Sequence, residues 1–179
     1  MTTLIIPCAG KSSRFPNTKP KWLFTHPDGK LMIEKSVQNI RDLSFIKKKI
    51  IVITKEIDKK FNAKFILNKA FNKSFEILIL NKQTSSASET IFEAIKKKKL
   101  KGQIIIKDSD CYIDIKNYKK YLNSNFLGGV NLNKNLEVQS LKMKSFIKLN
   151  FQNQIIDIIE KRIVSEHICV GLYSFSNEK

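Results

Sequence analysis

Apolar positions along the chain fall into short β-branched runs separated by stretches of helical spacing. Leu4-Ile5-Ile6 is an apolar run of strand length that breaks at Ala9-Gly10. Ile33, Val37 and Ile40 then recur at i, i+4 and i+7, the buried stripe of a helix. Lys49-Ile50-Ile51-Val52-Ile53-Thr54 is short and β-branched, which predicts a second strand. Ile57, Phe61 and Phe65 form another helical stripe, and Glu76 to Leu80 reads as a third strand. Ser86-Ala87-Ser88-Glu89 has the S-x-x-E form of a capping box, opening a helix that buries Ile91, Ala94 and Ile95. Gln103-Ile104-Ile105-Ile106-Lys107 completes the series as a fourth strand. Strand and helix in strict alternation predict right-handed βαβ units on a parallel sheet.

Beyond Asp110 the rhythm changes. A short helix is expected around Asp114 to Leu122, giving way to Phe126-Leu127-Gly128-Gly129-Val130. Strands follow near Lys144 to Leu149, Gln154 to Glu160 and Ile168 to Phe175, with Phe151-Gln152-Asn153-Gln154 as a hairpin turn. His26-Pro27-Asp28-Gly29-Lys30 is a second turn, since Asp-Gly is a strong turn dipeptide. No linker, repeat or low-complexity segment divides the chain. The expected fold class is α/β: a three-layer, Rossmann-like arrangement with a mixed, mostly parallel sheet and helices on both faces, in one domain spanning 1–179.

Composition narrows the class without naming it. The 179 residues suit one domain with a sizeable core. No apolar run approaches the roughly 18 residues of a membrane helix, and the N-terminus lacks the pattern of a signal peptide. Cys8, Cys111 and Cys169 are far apart, so free thiols in a reducing cytoplasm are expected. The net charge of +17 raises the question of nucleic acid. However, only Arg14, Arg41 and Arg162 are arginines, and the lysines are spread along helices and turns without interleaved aromatics. Nucleic-acid binding is therefore a minor alternative. The charge still concentrates anionic substrates near the surface.

Candidate chemistry begins at the first strand end. Ala9-Gly10-Lys11-Ser12-Ser13-Arg14 is a small-residue loop with two cations, and Lys21 follows seven residues after Arg14. Gly10 is expected to bend with φ > 0 and to admit a ligand where a Cβ would stand. Loop N–H groups and the full charges of Arg14 and Lys21 would then make a polyphosphate cradle. The P-loop motif does not fit, because it needs a glycine where Ile5 stands. The dinucleotide fingerprint fails as well, since Ser12 and Arg14-Phe15 occupy its further glycine positions. Asp108-Ser109-Asp110 closes the fourth strand with two carboxylates, suited either to Mg²⁺ facing a polyphosphate or to a plain Asx-turn. Gln83 to Thr90 offers small polar residues at a helix N-terminus, either for a nucleotide base or only as a helix cap.

The order and spacing of Cys8-Ala9-Gly10-Lys11-Ser12-Ser13-Arg14-Phe15 and Pro20-Lys21-Trp22-Leu23 resemble the sugar-phosphate nucleotidyltransferase family, with its apolar strand, A-G-x-x-[ST]-R-[FLM] and P-K-x-L. Ile159-Glu160-Lys161, then Ser165 and Val170-Gly171-Leu172-Tyr173-Ser174-Phe175, resemble the family's E-K and G-x-Y-x-F segments. The likeness runs from Leu4 to Phe175.

That resemblance implies a GT-A-like fold, with 1–112 as the nucleotide-binding half and 113–179 as the acceptor-binding half. It implies transfer of an NMP group from an NTP to a sugar phosphate or similar small phosphorylated acceptor, with release of pyrophosphate, for surface polysaccharide synthesis. Arg14 would hold the β,γ-phosphates and Lys21 the α-phosphate, as the catalytic pair. Ala9, Gly10, Lys11, Ser12, Ser13, Gln83, Ser86 and Ser88 would line the nucleotide, although the family usually has a glycine about where Ser86 stands. Asp110, then Asp108, would bind Mg²⁺, Asp108 holding a position that is often Asn. Glu160, Lys161 and Gly171 would bind the acceptor. CTP or UTP are the weakly favoured nucleotides, because cytidylyltransferases share the pattern, as do enzymes using UTP, dTTP and GTP. Related enzymes draw a second metal-binding Asp from a segment later than Lys179, which keeps open a non-catalytic NTP-binding subunit or a shortened homologue as the alternative.

Overall fold

The computed structural model of the chain describes residues 1–10, 18–40, 42–113, 123–134 and 141–176. The strands β1 (Thr2–Pro7), β2 (Ile46–Thr54), β3 (Glu76–Leu80) and β4 (Ile104–Lys107) alternate with helices α1 (Met32–Val37), α2 (Lys55–Phe61), α3 (Ala63–Ala70) and α4 (Ala87–Lys98). Four more strands follow: β5 (Phe126–Asn131), β6 (Ser145–Leu149), β7 (Ile155–Glu160) and β8 (His167–Phe175). All eight form one sheet in the order β3-β2-β1-β4-β8-β6-β7, with β5 on the other edge of β8. The first four strands are parallel, and every pairing of β8, β6 and β7 is antiparallel. This is the mixed α/β sheet that the alternation predicts, parallel where βαβ units build it and β-rich afterwards.

Strand period sorts the apolar residues onto two faces. Leu4, Ile6, Ile51, Ile53 and Ile105 pack under Ile33 and Val37 of α1 and Ala63 and Leu67 of α3. Ile5, Ile50, Val52, Leu78, Leu80, Ile104 and Ile106 face Ala94 of α4. β1 is therefore covered on both sides, as a central parallel strand must be. β1 pairs in parallel with β2 and β4, and β2 with β3, which leaves their carboxyl ends along one rim of the sheet.

Several predicted elements shift. The second strand begins at Ile46, earlier than Lys49, because parallel pairing with β1 carries it back. The stripe of Ile57, Phe61 and Phe65 does not make one helix. Asn62 adopts φ 52° and ψ 40° and ends α2, and α3 starts afresh, leaving Phe65 exposed. Such a left-handed residue is a common helix stop for Asn. The capping box is half formed: Ser86 Oγ accepts from Glu89 N, whereas the Glu89 carboxylate accepts from Ser85 N and Oγ. Of the apolar trio on α4, Ala94 is fully buried and Ile91 and Ile95 partly so. The segment around Gly128-Gly129 is a full strand, β5, against β8. The helix expected at Asp114 to Leu122 lies outside the described residues.

Candidate functional site

β1 delivers the first loop to the rim. Cys8 N donates to Val52 O at 2.8 Å, and both Cys8 and Ala9 are buried, so the chain reaches the surface only at Gly10. Gly10 does not adopt the positive φ expected of it, and a Cβ there would meet no atom of the described residues within 4 Å. Lys11, Ser12, Ser13 and Arg14 lie outside the described residues.

Lys21 is set by a 3₁₀ turn over Lys21–Leu23. Pro20 precedes the turn with φ −54°, its ring fixing the approach. Trp22 and Leu23 are buried in the core, which pins the turn and leaves Lys21 facing outward. The Lys21 ammonium lies 3.4 Å from Asp110 Oδ2, with both side chains about half exposed (42% and 45%). The chain then closes through the predicted turn: His26 N donates to Lys30 O and Gly29 N to His26 O. Asp28 accepts from Lys30 N and from the Lys35 ammonium, which hold its carboxyl down at about 2.

The acidic loop closes β4. Asp108 N donates to Gly171 O at 2.8 Å, joining the loop to β8. Gly171 has φ +69° and lies against the Asp108 side chain, so the room left by its missing side chain is filled by that carboxylate. Burial pushes the Asp108 carboxyl up from its ordinary value, Lys107 pulls it down and Asp110 adds to the rise. Asp110, by contrast, points outward to Lys21. Beneath them Ser109 hydrogen-bonds the buried Cys8 thiol, whose pKa burial drives well above the ordinary range.

A Mg²⁺ ion needs only one or two protein carboxylates and completes its octahedron with water and phosphate oxygens. Asp110 fits that requirement as the open donor, with Asp108 behind it. Among the described residues, no group of three or more His, Cys, Asp or Glu side chains is placed to hold a metal.

The segment after β3 approaches the same rim. Gln83, Ser86 and Ser88 are exposed, and Ser86 Oγ is engaged as the α4 cap. Thr84, which the sequence did not single out, is buried. Its hydroxyl bonds to Ala9 O at 3.4 Å and to Thr90 Oγ1 at 2.6 Å. It thereby ties the β3 exit to the Gly10 loop. A threonine among serines carries no sequence signal for this contact.

Glu160 ends β7 and Lys161 follows it, both exposed, with the Lys161 ammonium 2.9 Å from Glu160 Oε1. Lys161 N donates to Lys144 O. Phe146 pairs antiparallel with Ile168, so Lys144 lies on the Gly171 side of that pair. An apolar groove lies elsewhere, between β5, β8 and the β6–β7 hairpin, with Phe126, Ile147, Leu149, Ile155 and Ile158 in its lining. Its described lining has no charged side chain apart from what His167 can carry, which does not suit a polyphosphate.

No protein-family model matches the sequence, and no curated protein matches it either. Solved structures do match. The nucleoside-diphosphate-sugar pyrophosphorylase from Vibrio cholerae RC9 superimposes with a TM-score of 0.74 at 23% identity, over 98% of this chain and 73% of that one. A UDP-glucose pyrophosphorylase complexed with UDP-glucose gives 0.70 at 14% identity, over 98% and 76%. The inositol-1-phosphate CTP transferase from T. maritima gives 0.67 at 10% identity, over 98% and 70%. The fold of this chain is that of the nucleotide-sugar pyrophosphorylases and related NTP transferases.

Proposed function

We propose that the chain is a nucleotidyltransferase that moves an NMP group from an NTP to a sugar phosphate or similar small phosphorylated acceptor, for surface polysaccharide synthesis. The observation that carries this reading is the Lys21–Asp110 pair, 3.4 Å apart, with Asp110 just beyond the carboxyl end of the parallel strand β4. In open α/β sheets that end of the strands is where ligands bind.

An acceptor phosphate oxygen attacks the α-phosphorus of the NTP, the new P–O bond forms, and the bond to the β-phosphate oxygen breaks as pyrophosphate leaves opposite. The acceptor is already ionised, so no general base is needed. Positioning and charge stabilisation do most of the work. Lys21 turns from Asp110 to the α-phosphate, where negative charge grows, and Arg14 holds the β,γ-phosphates as they become pyrophosphate. Ala9 and Gly10, with Lys11, Ser12 and Ser13, carry the triphosphate. Gln83, Ser86 and Ser88 flank the base, CTP or UTP being favoured. Mg²⁺ held by Asp110, with Asp108 behind it, would polarise the α-phosphoryl oxygen. Glu160 and Lys161 take the acceptor's hydroxyl and phosphate, and Gly171 acts through Asp108. On this reading 1–112 is the nucleotide half and 113–179 the acceptor half. The three free thiols favour a reducing compartment such as the cytoplasm.

The test is pyrophosphate release with each of CTP, UTP, ATP, GTP and dTTP against a panel of hexose phosphates, alditol phosphates and phosphocholine, with Mg²⁺. Release that needs one nucleotide and one acceptor supports the reading. Nucleotide binding with no release from any pair would replace it with a non-catalytic NTP-binding subunit.

A further inference from the structure

Lys107 ends β4 with its side chain completely buried, at 0% exposure. Lysines are almost never fully buried unless paired, and an unpaired ammonium in a protein interior costs several kcal/mol. Here two of its three protons are used on main-chain oxygens. Nζ donates to Asp108 O at 2.7 Å and, in a shorter contact, to Cys111 O. These carbonyls belong to the first residue of the acidic loop and to Cys111 just after it, so one cation gathers both ends of the loop to a single point. Asp110 lies between them and faces outward to Lys21. Asp108, Asp110 and Cys111 are its electrostatic neighbours. A methionine would fill the same space at the end of an apolar strand without the desolvation cost, so packing alone does not account for a charge here.

We propose that Lys107 is a positioning residue for the acidic loop. It clamps the Asp108 and Cys111 carbonyls together and so presents Asp110 at the rim. The clamp itself stands on geometry alone; its consequence for metal binding rests on the nucleotidyl-transfer reading.

Two measurements test it. Nitrogen-15 NMR of the wild-type lysine ammonium groups should show one slowly exchanging Nζ signal that disappears in Lys107→Met. If every lysine exchanges as fast as a solvated one, the clamp does not exist, and this arm holds even if the variant fails to fold. In the second, free Mn²⁺ is titrated while paramagnetic broadening of the Ser109, Asp110 and Cys111 amides is followed. Outer residues that orient metal ligands contribute roughly 10–100-fold in metal affinity, so Lys107→Met should need that much more Mn²⁺ for the same broadening. A general loss of stability would lower the urea midpoint without changing the Mn²⁺ dependence of the folded protein. An unchanged Mn²⁺ titration in a folded Lys107→Met variant would overturn the positioning role. If Mn²⁺ leaves the wild-type loop untouched, the metal part of the functional reading fails, while the Nζ signal and the loop amide shifts of Lys107→Met still decide the clamp.

Discussion

Gly171 and Asp108 occupy one small volume: a Cβ on the glycine would stand 2.6 Å from Asp108 Cγ. The glycine also has φ +69°, a conformation that costs an L side chain roughly 1–2 kcal/mol. It sits where β8 stops pairing with β4 at Leu172 and turns toward its pairing with β6 at Ile168. One residue therefore bends the strand and seats the carboxylate. Gly171→Ala is expected to lose about 2–5 kcal/mol, strain plus the roughly 1–3 kcal/mol of overpacking. Urea denaturation checks this, and an unchanged midpoint would show that the strand and Asp108 are not coupled through this contact.

Lys21 and Asp110 are half exposed, so their ion pair adds little to stability, on the order of 0–1 kcal/mol. Their work is expected in turnover. Lys21→Ala should lower kcat by about 10²–10³-fold, the loss typical of one preorganised donor, with its melting temperature nearly unchanged. Asp110→Asn should remove Mg²⁺ dependence and keep the fold. Steady-state kinetics beside circular dichroism separates the two effects. A fully active Asp110→Asn would move the metal elsewhere.

Thr84 links the β3 exit to Ala9 through one buried hydroxyl. Thr84→Val keeps the shape and strands the Ala9 carbonyl, so about 1–3 kcal/mol of stability should go. Nucleotide affinity should weaken with it, because the Gly10 loop loses its tether. Calorimetric titration with the preferred NTP reads the second effect. Unchanged affinity would mean that the tether serves stability alone.

Asp28 supplies a pH dependence. Its carboxyl is held down at about 2 by the Lys35 and Lys30 hydrogen bonds, against an ordinary value of about 3.8. A lowered carboxyl stabilises the fold above the unfolded-state value and loses that contribution as pH falls through the folded one. Wild type should therefore be more stable than Asp28→Asn at neutral pH, and the gap should close as pH falls from about 4 to about 2. Parallel acid titrations of the two proteins show it. A constant gap would remove the titration as its cause.

Much of the parallel half was legible because its signals are local. Glu76–Leu80 is a strand with the expected bounds, since so short an apolar run, with Leu78 and Leu80 buried and Ile77 and Ile79 partly buried against the other face, has few alternatives. The helix expected over Ile57 to Phe65 broke because the stripe reports only which positions are apolar, whereas the left-handed turn at Asn62 is a backbone choice. β5 was hidden because Gly128-Gly129 weakens any strand signal and its order comes from β8. Lys107 was missed for a related reason. In sequence it is the polar last residue of a strand, and only the fold wraps the acidic loop over it. The contact between Gly171 and Asp108 joins positions 63 residues apart, which no local pattern carries.

The central claim is that Lys21 and Asp110 form a nucleotide site that works with Mg²⁺. The most direct measurement is a thermal-shift scan of wild type and Asp110→Asn with CTP, UTP, ATP, GTP and dTTP, each with and without Mg²⁺. A ligand at a hundred times its Kd adds about 2.7 kcal/mol, roughly 5–11 °C for a chain of this size. The account predicts such a rise for one nucleotide in wild type, only with Mg²⁺, and its loss in Asp110→Asn. No shift with any nucleotide, or an equal shift in the variant, would contradict it.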